Sequence, residues 1–101
     1  MDAEQLFWRC ADQLSAIEGV AEGTIFGFRC LRVDDEFVGM PANGQLWVKL
    51  DEARVTELLD EGLGEECRPN GRVFRAWLAV PILDEDLWMD LLTESIEIVR
   101  P

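Results

Sequence analysis

The sequence predicts an α+β domain in which helices pack on one face of an antiparallel sheet. Two patterns alternate along the chain: apolar side chains at every third or fourth position, and apolar side chains at every second position. The first spacing is typical of amphipathic helices and the second of half-buried strands. Turn signals separate neighbouring strands by only a few residues, which favours antiparallel hairpins over parallel crossovers. The predicted order of elements is α-β-β-β-α-β(β)-α.

The N-terminal part of the chain is predicted to form a helix over residues 3–18. Its apolar side chains form one stripe, made of Leu6, Phe7, Cys10, Leu14 and Ile17. Gly19 follows directly and is predicted to end the helix. A short segment, residues 24–26, then leads into a strand over residues 28–33.

Two turn signals divide the next stretch into hairpins. Asp34 and Asp35 favour a turn, and residues 36–40 return as a strand. The two carboxylates are interpreted as turn residues rather than as metal ligands, because neighbouring acids at a loop tip rarely converge on one ion. Asn43 and Gly44 tolerate the positive φ angles of a tight hairpin turn.

The strand after this second turn holds the only lysine of the chain, Lys49. Successive side chains of a strand point to opposite faces of the sheet. One face of this strand therefore carries Leu46, Val48 and Leu50, and the other face carries Gln45, Trp47 and Lys49. The lysine is thus expected to share a face with a tryptophan.

A second helix is predicted to follow this strand. Asp51 has the character of an N-cap residue, and the helix is expected to run to about Glu61. Gly62 then resembles a C-cap glycine. Residues 64–71 are rich in turn formers and leave room for a short edge strand near Cys67.

The longest predicted strand covers residues 73–80. Its core-facing side is expected to carry Phe74, Ala76, Leu78 and Val80, and its other side Val73, Arg75, Trp77 and Ala79. Pro81 ends this strand, because proline has no N–H to donate. The acidic residues 84–86 suit the positive end of a last helix, in which Trp88 and Val99 follow helical spacing.

The composition is that of one acidic domain, covering residues 1–101. The hydrophobic fraction of 49% supplies a core, and 21 acidic residues against 9 basic residues give a formal net charge of -12. Such a surface repels phosphates, so direct binding to nucleic acid or to an anionic membrane is not expected. No apolar run reaches the roughly 20 residues of a membrane helix, and the N-terminus lacks signal-peptide character. We therefore expect a cytoplasmic protein.

The sequence contains no recognisable catalytic or metal-binding pattern. It has no histidine, and Cys10, Cys30 and Cys67 lack the paired spacing of zinc sites. We expect reduced thiols that pack as small hydrophobic side chains. The glycines form neither a Walker phosphate loop nor a dinucleotide fingerprint. Enzyme activity is therefore not expected, and no cofactor or metal is predicted.

The predicted strand faces bring two tryptophans and two cations together. Trp47, Lys49, Arg75 and Trp77 fall on the face opposite the core, provided that the strand register is right. Aromatic and arginine side chains are typical of interface centres. Three interpretations stay open: a self-association surface, a face covered by the same subunit, or a binding surface for another protein or a small anion.

Short motifs along the chain follow one another in an order that a known family shares. They are the tripeptide Ile25-Phe26-Gly27, residues 37–40, 46–51, 57–62 and 69–77, and a last helix that contains Trp88. Together they resemble the N-terminal domain of the TfoX/Sxy family of bacterial competence-regulator-like proteins, which tends to have Met-Phe-Gly at the tripeptide. The resemblance covers about residues 20–100.

This resemblance implies an α+β domain of secretion-chaperone-like topology, a topology in which dimers are common, and no established enzyme activity. Full-length regulators of the family activate transcription of DNA-uptake genes and carry a second, helical domain, which the present sequence does not include. We therefore expect a stand-alone regulatory or protein-interaction domain. It is expected to be homodimeric and to act through protein contacts rather than by direct DNA binding.

An alternative function is the binding of a small anion or other ligand. Lys49, Arg72 and Arg75 lie on neighbouring predicted strands, and three cations could hold a carboxylate or a phosphate. The competing interpretation is that these cations form surface ion pairs with the surrounding acids. The candidate binding or interface residues are therefore Trp47, Lys49, Arg72, Arg75 and Trp77.

Overall fold

The structure, a computed structural model, describes residues 1–25 and 27–100 of the chain. In these ranges it contains three α-helices, six strands and one 3-10 turn. The helices are α1 (Ala3–Leu14), α2 (Glu52–Asp60) and α3 (Glu85–Val99). The strands are β1 (Val20–Ile25), β2 (Phe28–Val33), β3 (Glu36–Ala42), β4 (Gln45–Lys49), β5 (Glu65–Cys67) and β6 (Phe74–Val80), and the 3-10 turn is Pro69–Gly71.

All six strands belong to one antiparallel sheet with the order β1-β2-β3-β4-β6-β5. Helices α1 and α3 pack on β3 and β4, and α2 packs on β6. The predicted fold class, an α+β domain with helices on one face of an antiparallel sheet, is confirmed. None of the described helices has both the length and the apolar character needed to cross a membrane.

The sheet begins with one strand more than was predicted, β1, which was expected only as a short segment leading into β2. Helix α1 ends at Leu14 instead of residue 18, and the chain then turns through residues 15–19. Gly19 has a φ of +87°, a conformation that glycine adopts without steric cost, and it directs the chain into β1. Ile17, the last residue of the predicted helical stripe, lies in this turn, and its side chain still packs against the core.

The two predicted hairpin turns are confirmed by their backbone angles. Asp34 has a φ of +53°, and Asn43 and Gly44 have φ values of +53° and +74°. Two consecutive positive φ angles are what a tight two-residue hairpin requires, because its twist then matches the twist of the strands. The β3–β4 hairpin therefore has a defined register, with Ala42 opposite Gln45.

The ends of α2 follow the predicted positions, with one difference in chemistry. Asp51 occupies the N-cap position, but its side chain makes no capping hydrogen bond. At the other end Gly62 has a φ of +74°. The Gly62 N–H donates to the Leu59 carbonyl over 3.1 Å, and the Leu63 N–H donates to the Leu58 carbonyl over 3.0 Å. This is the Schellman arrangement, in which a glycine ends the helix and the last carbonyls are satisfied.

The main core lies between the sheet and the helices. Val48 pairs with Leu78 and Leu46 pairs with Val80, and all four side chains are fully buried. Trp88 of α3 is also fully buried, and its Nε1 donates to the Ile82 carbonyl over 2.7 Å. The indole thus buries a large apolar surface without leaving its N–H unpaired.

The pairing of β6 with β5 is irregular, and some β6 side chains therefore lie on a different face of the sheet from the one predicted. Glu66 pairs with Leu78, but the next β5 residue, Cys67, pairs with Phe74, so the intervening β6 residues have no partners on β5. Phe74 lines a small cavity together with Trp77, whereas Arg75 lines a groove beside α2. The prediction that Phe74 faces the helices and Arg75 faces away from them was wrong, because the bulge interrupts the alternation of side chains.

The core assignment leads to a first testable prediction. Truncation of the buried Leu78 to alanine should lower the free energy of unfolding by about 2–5 kcal/mol, because it leaves a cavity under the helices. The matched control is Leu83→Ala, since Leu83 is 49% exposed. Its cost should be at most about 1 kcal/mol. Urea denaturation of both variants measures the difference, and equal costs would contradict the assignment.

Candidate functional site

A second apolar cluster lies on the face of the sheet opposite the helices. Cys30, Met40, Cys67 and Ala79 are all buried, yet they lie outside the core beneath the helices. A cavity of about 50 Å³ on this face is lined by Ile25, Met40, Trp47, Cys67, Pro69, Phe74 and Trp77. We call these seven residues the concave cluster.

The concave cluster shows that the sheet curls strongly. Ile25 lies on one edge strand and Cys67 on the other. Five strand spacings would separate these edges by about 24 Å in a flat sheet. Residues from both edges line one small cavity only if the sheet bends around it, so the face without helices is concave.

Trp47 and Trp77 are half-buried in this concavity. They meet Met40 and Phe74 from the same subunit. The Trp47 Nε1 donates to the Gln45 Oε1 over 3.3 Å, and the Gln45 Nε2 donates to the Glu65 Oε1 over 2.7 Å. Of the three interpretations for this face, the geometry therefore favours cover by the same subunit for most of the two indole rings.

Lys49, the only lysine, lies opposite Trp77 at the end of β4. Its Nζ is 3.3 Å from the Glu36 Oε2, and about a third of its side chain is exposed. An ion pair with this exposure contributes little to stability. Lys49 thus links the end of β4 to the start of β3.

The three cations predicted to form an anion site do not share one face. Arg75 is exposed and lines a groove on the helix side with Glu52 and Glu66. Lys49 belongs to the opposite side with Trp77. Arg72 is exposed and follows the 3-10 turn. Carboxylates already accompany two of the three cations, so this arrangement does not favour one shared anion site.

A larger cleft opens beside the concave cluster. It encloses about 560 Å³ between the start of α1, the β3–β4 hairpin and the 3-10 turn. Its apolar lining comes from Phe28, Met40, Pro41, Trp47 and Pro69, and its polar lining includes Asp2, Glu4, Asn43, Arg68 and Asn70. We call it the Phe28 cleft. Met40, Trp47 and Pro69 belong to both the cleft and the concave cluster.

Phe28 is the most unusual residue of this cleft. It is 60% exposed, the highest value of any large hydrophobic residue after the N-terminal Met1 among the described residues. Its partner across the β1–β2 hairpin is Ile25 of the concave cluster. An exposed phenyl group beside a preformed apolar hollow is typical of a binding surface.

Two carboxylates at the edge of the cleft are held in place by α1. The Asp2 Oδ1 accepts a hydrogen bond from the Gln5 N–H over 2.8 Å, and the Gln5 Oε1 accepts one from the Asp2 N–H over 3.1 Å. This capping box holds the first turn of the helix. The Glu4 Oε1 accepts a hydrogen bond from the Trp8 Nε1 over 3.0 Å. Both acids are therefore preorganised near the cleft.

Arg68, the cation in the lining, is paired with a neighbouring acid. Its Nη2 lies 2.5 Å from the Glu66 Oε1. With this guanidinium neutralised, Asp2 and Glu4 leave the cleft rim negative. The chemistry of the lining is thus apolar at the floor and acidic at one edge.

The three cysteines are buried and unpaired. Burial raises the pKa of Cys10 and of Cys67 from 9.0 to about 11, and burial also raises the pKa of Cys30. A thiol with a raised pKa is protonated at neutral pH and is a poor nucleophile. In the described part of the chain, no group of three or more candidate ligands is placed to hold a metal ion.

Neither the scan against models of known protein families nor the search of curated proteins finds a match for this chain. The resemblance to the TfoX/Sxy N-terminal domain therefore stays a prediction. Phe26, the middle residue of its first motif, lies outside the described residues.

Sequence reasoning identified Trp47 as a candidate but missed Phe28, Asp2 and Glu4. Phe28 begins a strand and resembles any other apolar strand residue. Asp2 and Glu4 resemble ordinary helix-start acids, and they do serve that role. The alternation of β2 places Phe28 on the face of Cys30, which was the one available signal, but the side chains of residues 28–33 were not assigned to either face of the sheet.

The raised thiol pKa values predict a loss of stability in alkaline solution. The unfolded chain releases these protons near pH 9, whereas Cys10 and Cys67 keep them until about pH 11 in the folded state. The unfolded state then binds fewer protons, so the free energy of unfolding should fall with pH in this window. The expected slope is about 1.4 kcal/mol per pH unit for each thiol.

Chemical denaturation between pH 9 and 11 measures this slope, and Cys67→Ala provides the control. The variant lacks one of the two most strongly shifted thiols. Its stability should therefore depend less steeply on pH, by about 1.4 kcal/mol per unit. An unchanged slope would show that Cys67 ionises equally in both states.

Proposed function

We propose that this chain is a TfoX/Sxy-like regulatory or protein-interaction domain that acts through protein contacts, as a homodimer, and not by direct DNA binding. The observation that carries the proposal is the Phe28 cleft, where a largely exposed phenyl group stands beside an apolar hollow. The proposed role is non-enzymatic, which the absence of histidine and the protonated, buried thiols support.

The size and lining of the cleft suit side chains of a protein partner. Its volume of about 560 Å³ falls in the range typical of ligand pockets, roughly 300–1,000 Å³. Phe28 and Trp47 provide aromatic contact surface, which is enriched at interface centres. A partner segment that inserts one or two apolar side chains would remove Phe28 from water, and this supplies the driving force.

The charge of the cleft indicates the flanking chemistry of that segment. Asp2 and Glu4 are held at the edge by their hydrogen bonds to α1, so they need little reordering when a cation approaches. The chain as a whole carries a formal charge of -12, which attracts basic segments and repels acidic ones. We therefore propose an apolar partner motif with Lys or Arg beside it.

Peptide selection tests this proposal directly. Peptides selected from a random library on the wild-type protein should be enriched in Lys or Arg next to Leu, Phe or Trp. Phe28→Ala should weaken their binding at least tenfold, about 1.4 kcal/mol, because the central apolar contact is lost. Titration calorimetry with one selected peptide measures the change.

The control variant is Ile82→Ala. Ile82 is also an exposed hydrophobic residue, with 43% exposure, but it lies outside the cleft. Peptide binding should stay within about twofold of wild type, a difference below about 0.5 kcal/mol. Equal losses in both variants, or a selection for acidic peptides, would contradict the proposed site.

The absence of direct DNA binding is a separate prediction. Non-specific DNA binders typically reach dissociation constants of about 10⁻⁴–10⁻⁶ M at physiological salt, through lysine and arginine contacts to phosphates. With 9 basic against 21 acidic residues, this chain should show weaker binding than that range. Fluorescence anisotropy with a short labelled duplex measures it, and a dissociation constant of about 10⁻⁴ M or lower would overturn this part of the proposal.

A further inference from the structure

The two edges of the sheet differ in their protection against further pairing. Edge strand β5 has only three residues, is interrupted by a bulge and runs into Pro69 and the 3-10 turn. Edge strand β1 has six residues that all pair in register with β2, without a bulge, a proline or a lysine. Natural sheets commonly protect an exposed edge by one of these devices. Among the described residues β1 has β2 as its only strand partner.

The charge near β1 differs from that of the chain as a whole. Residues 20–33, a range that includes β1 and β2, contain one acid, Glu22, and two cations, Arg29 and Arg32. The remainder of the chain is strongly acidic. The Arg29 Nε and Nη2 each donate to a different oxygen of Glu22 over 2.8 Å. The one acid of this edge is therefore already neutralised, and a second acidic copy meets little repulsion here.

The helix side of β1 is also left open by the packing of the helices. A groove of about 580 Å³ runs between α1 and the β1–β2 hairpin, and Trp8, Ser15, Ala21, Glu22 and Arg29 are among its lining residues. The Arg29 guanidinium lies 4.2 Å from the centre of a Trp8 ring and forms part of the groove. A strand added at β1 would extend the floor of this groove and bring new side chains next to it.

We propose that a second copy of this chain docks at β1, by antiparallel pairing of β1 with β1 about a two-fold axis at Gly23. The two sheets would then continue into each other across the axis. This inference names the surface of the homodimer in the proposed function, and it does not depend on the Phe28 cleft. An edge-to-edge contact of identical strands is isologous and closes after two copies.

The position of the axis follows from the charges on β1 and from the face of the sheet to which each β1 side chain points. A two-fold axis perpendicular to the sheet leaves the helices of both copies on the same face of the joined sheet. Each β1 residue must then pair with a β1 residue whose side chain points to the same face. An axis at Glu22 would place two carboxylates directly opposite each other, which is destabilising. An axis at Gly23 instead pairs Glu22 with Thr24 of the second copy and Ala21 with Ile25 of the second copy.

The Gly23 axis also extends the existing ion pair. Thr24 lies opposite Arg29 in the β1–β2 register. Glu22 of one copy would therefore lie in a row with Thr24 and then Arg29 of the other copy. The two carboxylates and the two guanidinium groups would alternate around the axis, so the contact is complementary to itself.

The test is the mass in solution of two variants that change the charge equally. Thr24 and Thr56 are both exposed, the first on β1 and the second on α2. Light scattering coupled to size exclusion, across a dilution series at physiological salt, should give twice 11.5 kDa for the wild type and for Thr56→Glu. Thr24→Glu should shift the protein to 11.5 kDa, because it places a second carboxylate directly opposite Glu22 of the other copy on both sides of the axis.

Two results would overturn the proposal: a monomeric wild type at every concentration, or a Thr24→Glu protein that stays as dimeric as the wild type. Circular dichroism checks that each variant is folded. Thr24→Glu should also retain binding to peptides selected on the wild type, and Phe28→Ala should remain dimeric. Failure of the dimer and failure of the Phe28 cleft are therefore separate outcomes.

Disulfide formation tests the axis. In the double variant Glu22→Cys/Thr24→Cys, the thiol introduced at position 22 of one copy should lie opposite the thiol introduced at position 24 of the other copy. Oxidation should then give a covalent dimer on a non-reducing gel. Each single variant should cross-link much more slowly, and the three native thiols are buried. A dimeric protein whose double variant does not cross-link faster than the single variants would overturn the axis at Gly23.

Discussion

The pairing of β4 with β6 is the contact on which the rest of the structure depends. It places Val48 opposite Leu78 and Leu46 opposite Val80, and these buried pairs form the floor on which the helices pack. The same pairing places Lys49 opposite Trp77 and Trp47 opposite Ala79 on the other side. Both apolar clusters are therefore built on one pair of strands, at the centre of the sheet.

The bulge in β6 converts this two-sided strand pair into a concave surface. Because β6 residues 75–77 have no partners on β5, Phe74 joins Trp77 on the face without helices and Arg75 lies beside α2. Bulges increase the local twist of a sheet. Cys67 and Phe74 thus come within reach of Ile25 from the far edge, and the tryptophans gain partners from their own subunit.

This arrangement separates two surfaces with different chemistry. The Phe28 cleft combines an apolar floor with an acidic edge, and its floor is continuous with the concave cluster through Met40 and Trp47. The β1 edge, by contrast, offers unpaired backbone groups in a segment with one acid and two cations. A domain with these two surfaces would use one to join its own copy and the other to hold a basic, apolar segment of a partner, which suits a regulator that works through protein contacts.

The sequence by itself determined the elements whose causes are local. Alternation placed Leu46, Val48 and Leu50 in the core, Asn43 and Gly44 specified a hairpin, and Gly62 ended α2, because each of these effects acts within a few residues of the chain. Only the tertiary structure decided the side of Arg75, the cover over Trp47 and the cleft beside Phe28. Those features depend on a bulge against β5 and on contacts between strands far apart in sequence, and no local pattern encodes the register from which they arise.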